Sequence, residues 1–196
     1  MVYLAGVIGE SRITWYSREG KRLGSVGEPG IYPNMTISPD GKRAGLQSGA
    51  GVAADIWVVD LTSGVQSRLT FGTYVASDPT WSVDGRSVAY SAFDSGKASI
   101  RRKPVGGGPE ETLVESNERI FPQDWLLDGS LICLNQGGRY IARLSLGEKK
   151  LQALHEGSSH FTWLVNIRSG YRFGSTSALS GINRLGLCQN PVCDSH

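Results

Sequence analysis

Short stretches rich in β-branched and aromatic residues alternate with turns rich in Gly, Ser, Thr and Asp along most of the chain, a pattern that predicts many short strands. In Asp55-Ile56-Trp57-Val58-Val59-Asp60-Leu61, an extended strand puts Trp57, Val59 and Leu61 on one face and Ile56 and Val58 on the other. A sheet with one solvated face would alternate apolar and polar residues instead. This strand is therefore expected to be covered on both sides.

The pattern repeats. Ser38-Pro39-Asp40-Gly41-Lys42 returns as Ser82-Val83-Asp84-Gly85-Arg86 and as Leu126-Leu127-Asp128-Gly129-Ser130, so the aspartates fall at successive intervals of 44 residues. At the same offset residues 55–61 align without gaps on residues 99–105, Gly64 on Gly108, Leu69 on Leu113, and Trp81 on Trp125. Several independent positions agreeing at one offset identify an internal repeat. The first unit reads as four strands, at residues 34–38, 43–47, 55–61 and 66–70. Its first link has a mechanism: Pro39 presets φ, Asp40 bonds the local backbone, and Gly41 accepts positive φ.

Four strands in a repeat of roughly 40–45 residues is the period of a propeller blade. The fold class expected is all-β, a partial β-propeller of four-stranded antiparallel blades with a 44-residue repeat. Residues 1–30 read as a partial blade holding the last two strands of a unit, at 12–17 and 21–26. Residues 31–163 read as three blades and the start of a fourth, the third of them contracted, with its third strand at 140–146. Residues 164–196 are expected to be an irregular tail outside the repeat.

Composition narrows the function classes. With 20 Lys and Arg against 18 Asp and Glu, the formal charge is +2 and spread along the chain, whereas nucleic-acid binding needs clustered cations. No nucleic-acid partner is expected. No stretch approaches the roughly 20 apolar residues of a membrane span, and the first ten residues lack a basic leader, so no membrane segment or signal peptide is expected in this chain. Three cysteines form no disulfide framework. Cys133, in Leu131-Ile132-Cys133-Leu134, reads as a small buried hydrophobe, and Cys188 and Cys193 lack a second ligand pair for zinc.

Each candidate for chemistry has a structural counterpart. The chain holds no phosphate loop followed by a strand lysine, no His-Arg-Asp catalytic loop and no Asp-Phe-Gly, and Gly-x-Ser-x-Gly is missing. Gly106-Gly107-Gly108 reads as a turn. His155 and His160 are not joined by a third metal ligand, and Asp40, Asp84 and Asp128 each have a sufficient turn role. Arg101-Arg102-Lys103 replaces the apolar Trp57-Val58-Val59 of the preceding unit and is weighed as an anion site against a strand edge whose stems pack while charges reach water. Trp57, Trp81, Trp125 and Trp163 read as wedges between blades. No catalytic, cofactor or metal residue is assigned.

Ser38-Pro39-Asp40-Gly41-Lys42, residues 55–61 with Gly64, and Arg68-Leu69-Thr70 resemble the TolB-like branch of propeller repeats, related in shape to WD repeats. Residues 15–21, Val26-Gly27-Glu28-Pro29-Gly30 and residues 102–111 resemble propeller regions C-terminal to bacterial serine/threonine kinases. The resemblance covers about residues 12–163. TolB-like propellers close with six blades or more, so the resemblance implies a fragment whose uncovered blade faces favour self-association. It also implies a periplasmic or extracytoplasmic setting and a non-catalytic module that binds a protein or peptide, as the sensing or scaffolding part of a larger bacterial protein. Loop residues such as Tyr74 and Phe93 are the expected contacts. The alternative is a propeller subdomain of a prolyl-oligopeptidase-type peptidase or a kinase whose catalytic domain lies outside this chain.

Overall fold

The computed structural model describes residues 2–7, 10–135 and 140–156 and, as backbone, residues 161–167, 170–175 and 184–188; side chains are described for residues 10–135 and 140–154. Every regular element among them is a β-strand. Three four-stranded sheets follow one another. Sheet 2 holds β4 (Met35–Ile37), β5 (Arg43–Ser48), β6 (Asp55–Asp60) and β7 (Gln66–Arg68). Sheet 3 holds β8 (Val75–Trp81), β9 (Ser87–Asp94), β10 (Lys97–Pro104) and β11 (Glu111–Ser116). Sheet 4 holds β12 (Ile120–Trp125), β13 (Leu131–Asn135), β14 (Tyr140–Ser145) and β15 (Lys150–Glu156). In each, sequence neighbours pair antiparallel, giving an up-and-down meander.

A three-stranded sheet stands at either end of this series. Sheet 1 is β1 (Val2–Val7), β2 (Glu10–Tyr16) and β3 (Arg22–Gly30). It carries one strand more than the two expected at residues 12–17 and 21–26, because the N-terminal apolar run pairs along β2 from Val2↔Trp15 to Val7↔Glu10. Sheet 5 is β16 (Phe161–Ile167), β17 (Gly170–Ser175) and β18 (Arg184–Cys188); β16 begins where a further blade is expected to open, and the rest lies in the stretch expected to be irregular. Backbone donors and acceptors pair whatever the side chains match, so a segment outside the repeat still completes a ladder.

Both faces of β6 are covered, as its pattern demands. Trp57, Val59 and Leu61 join a core with Ile13, Tyr32, Ala44 and Leu46, between sheets 1 and 2. Ile56 and Val58 point the other way, into a core with Tyr74, Trp81, Val88 and Tyr90 between sheets 2 and 3. The third core repeats the arrangement between sheets 3 and 4, where Ala89, Ile100 and Leu113 meet Leu131, Cys133 and Leu144. Burying Ile56 or Val59 contributes about 1.5–3 kcal/mol each, and neither sheet alone could supply the second wall.

Cys133 is fully buried in that third core and its thiol is pushed up by burial, consistent with a packing role. Among the described residues no helix is long and apolar enough to cross a membrane.

Candidate functional site

The turn aspartates are occupied locally. Ser38 Oγ donates to Asp40 Oδ1 at 2.6 Å and the Lys42 amide donates to the same oxygen at 3.0 Å. Asp84 receives Ser82 Oγ and the Arg86 amide at 2.6 and 3.0 Å, and Asp128 receives the hydroxyl and amide of Ser130 at 2.6 and 2.9 Å. These hydrogen bonds, the serine hydroxyl first, hold all three carboxyls below the usual range. Gly41, Gly85 and Gly129 follow with φ of 70°, 67° and 84°, which explains why Asp-Gly survives where the proline does not. Each carboxylate closes a turn; beside Asp40, Arg43 reaches the next blade, where it donates to the Gly85 carbonyl at 2.9 Å and lies over the Trp81 ring.

The Arg101-Arg102-Lys103 run divides as strand alternation requires. Arg101 faces sheet 2, where its Nη1 meets Glu110 Oε1 at 2.7 Å and its guanidinium lies 4.2 Å from the centre of the Tyr74 ring. Both Tyr74 and Tyr90 donate their hydroxyls to Glu110 Oε2. Burial opposes ionisation of Glu110, but the bonds from Tyr74, Tyr90 and Arg101 and the Arg101 charge outweigh it and lower its pKa. Burial and the hydrogen bond to Glu110 push Tyr74 up to about 12 and Tyr90 higher still. Arg102 faces the other way and pairs with Glu111, which Lys149 also approaches. The two arginines are thus neutralised from within the β10–β11 hairpin: Glu111 stands directly across from Arg102, and Glu110 just precedes β11. Opposite charges flanking Gly106–Gly108 were the signal that could have revealed this pairing.

Trp81 and Trp125 are buried wedges, with indole N–H groups donating to the carbonyls of Thr36 (3.3 Å) and Gly129 (3.1 Å). Trp57 is half-buried against sheet 1. Trp163, His155, His160, Cys188 and Cys193 lie outside the described side chains. Tyr74 is not a loop contact: it is buried within the Glu110 cluster. Phe93 is half-buried beneath the Arg119 guanidinium at 4.0 Å.

A second link between blades lies on the inner strands. Asn34 and Asp78 occupy equivalent positions 44 residues apart, and Asn34 Nδ2 donates to Asp78 Oδ1 and to Gln47 Oε1, both at 3.0 Å. Asp78 sits in the β8 bulge with φ of 53°, a strained state for a non-glycine residue. Burial raises its pKa against the opposing hydrogen bond of Ser77.

The meander sends successive turns to opposite ends of each blade. One end carries Asp40, Lys42, Arg43, Asp60, Asp84 and Arg86. At the other end of sheet 2, residues 29–35, 49–54 and 69–77 contain no Asp, Glu, Lys or Arg, whereas the same end of sheet 3 carries Asp94, Lys97, Glu118 and Arg119. These segments form one surface, because the Gly49 amide donates to the Ile31 carbonyl at 2.9 Å and the Ala76 amide to the Ala54 carbonyl at 2.8 Å. Ile31, Val52 and Phe71 stand out from it, 47%, 93% and 68% exposed. Turn propensity alone did not reveal this surface; three charge-free windows around one repeat unit would have.

No family model matches the chain. A stretch of 79 residues is 34% identical to an uncharacterized protein of Agrobacterium fabrum, covering 40% of this chain and 27% of that protein. Among solved structures, a putative TolB from Agrobacterium tumefaciens superposes with a TM-score of 0.75 at 18% identity, over 97% of this chain and 73% of that one. TolB from Acinetobacter baumannii gives 0.67 at 18% identity, over 90% of this chain and 49% of its own. A puromycin-hydrolyzing peptidase of Mycobacterium tuberculosis gives 0.63 at 16% identity, over 96% of this chain and 36% of its own. This chain therefore spans about a quarter of the curated relative and half of the Acinetobacter TolB. The blades, their antiparallel order and these superpositions together give the chain the fold of part of a TolB-like β-propeller.

Proposed function

We propose that the chain is a non-catalytic propeller module that binds a protein or peptide through the charge-free segments at one end of sheet 2. The carrying observation is the continuous surface of residues 29–35, 49–54 and 69–77, which exposes Ile31, Val52 and Phe71 without a charged neighbour in those segments. Exposed apolar side chains grouped on loops of a rigid scaffold are characteristic of recognition surfaces. The charged groups weighed as ligand sites have partners within the fold: the turn aspartates bond their own turns, and Arg101 and Arg102 bond Glu110 and Glu111.

The test is capture by the immobilised chain from an extract of its own source, comparing variants at the two ends. Val52→Asp with Phe71→Asp is expected to lose the captured partner, and Leu127→Asp, at the opposite end, to retain it. The opposite outcome, or equal capture by both, contradicts the proposal. A second reading, the propeller part of a larger enzyme, draws on the peptidase among the structural neighbours. It predicts that the partner is a catalytic domain; turnover of a peptide substrate by this chain alone would overturn the non-catalytic reading.

A further inference from the structure

Phe71, within the charge-free segments, has two cationic neighbours. Its ring lies between the Arg68 guanidinium, 5.3 Å from the ring centre, and the Lys103 ammonium, at 5.1 Å. Arg68 is paired with Asp55 at 2.7 Å, whereas Lys103 forms no ion pair among the described residues. An exposed aromatic ring thus stands beside one cation without an ion-pair partner among the described residues, while the second cation on the ring is held by Asp55.

Resting on the proposed function, we infer that this corner is a subsite for a peptide segment in which an apolar side chain lies next to a carboxylate. The apolar side chain would stack on the exposed Phe71 ring, where each covered methylene gains about 0.8 kcal/mol. The carboxylate would meet Lys103, the cation without an internal partner. A neighbouring Lys or Arg on the peptide would instead face both Lys103 and Arg68 across the ring and be repelled. Charge complementarity at Lys103 therefore selects acidic–apolar over basic–apolar segments.

The experiment is fluorescence anisotropy on the whole chain with two labelled synthetic peptides, one alternating Leu and Asp, the other alternating Leu and Lys. The acidic peptide is expected to bind at least about tenfold more tightly than the basic one, with a preference that shrinks as salt is added. Lys103→Glu is expected to abolish or reverse the preference, and Phe71→Ser to weaken both peptides, while Leu127→Ser at the far end leaves binding unchanged. Unchanged thermal unfolding of Lys103→Glu shows that the subsite, not the fold, was altered. Equal binding of the two peptides, no binding of either, or an undiminished preference in Lys103→Glu overturns the inference. If those results appear while Val52→Asp with Phe71→Asp still loses the captured partner, the binding end stands and only its acidic–apolar chemistry fails.

Discussion

Glu110→Ala is expected to destabilise the chain by about 2 kcal/mol, read as a lower urea midpoint with an unchanged slope. The substitution strands three donors at once: the Arg101 guanidinium and the hydroxyls of Tyr74 and Tyr90. Removing one partner of a fully buried pair costs about 3–5 kcal/mol, but Arg101 and Glu110 keep 25% and 23% of their side-chain surface exposed, so solvent recovers part of the loss. The same cluster sets a pH dependence. The folded Glu110 carboxyl lies below its ordinary value. Its contribution is therefore present above the unfolded pKa, about 4.3, and lost as pH falls through the folded one. Tyr74 and Tyr90 act at the other extreme. Their raised values give stability that is full below about pH 10 and falls as pH rises above it, where the unfolded chain sheds those protons first. Glu110→Gln should accordingly flatten the acid limb of the stability profile. A loss under about 0.5 kcal/mol in Glu110→Ala would place it among ordinary surface substitutions and show that the cluster does not join strands as described.

Gly49→Ala is expected to cost about 3 kcal/mol, and it acts on the loop that presents Val52. Gly49 has φ of +91°, and a Cβ there would stand 2.1 Å from the Ala53 carbonyl oxygen, a backbone atom that cannot rotate away. Positive φ alone costs a side chain about 1–2 kcal/mol; the collision adds to it and must open the turn. Gly51, two residues on, provides the internal comparison. Its φ is +62° but nothing lies within 4 Å of an added Cβ, so Gly51→Ala should cost only about 1 kcal/mol. Thermal unfolding of the two variants side by side checks the difference. Equal effects would mean that the loop does not close on Ala53.

The features legible in the sequence were those with a period. The two-sided pattern of residues 55–61 foretold that Ile56 and Val59 enter different cores, and the recurring Asp-Gly foretold turns whose aspartates are internally satisfied. Features that depend on what lies across a hairpin or between blades were not legible. Arg101 and Arg102 looked unpartnered because Glu110 and Glu111 come within reach only when β10 and β11 pair. Tyr74 looked like an exposed loop aromatic because its burial depends on Tyr90 and Glu110 converging on its hydroxyl. The charge-free surface escaped notice for a related reason: three windows distant in sequence become one surface only through the Gly49–Ile31 and Ala76–Ala54 hydrogen bonds.

The central claim, that the charge-free segments at one end of sheet 2 are the recognition surface, is tested most directly by amide hydrogen exchange of the chain with and without its captured partner. Protection should rise in residues 29–35, 49–54 and 69–77 and stay unchanged in the Asp-Gly turns at 38–42, 82–86 and 126–130. Protection confined to those Asp-Gly turns would contradict it.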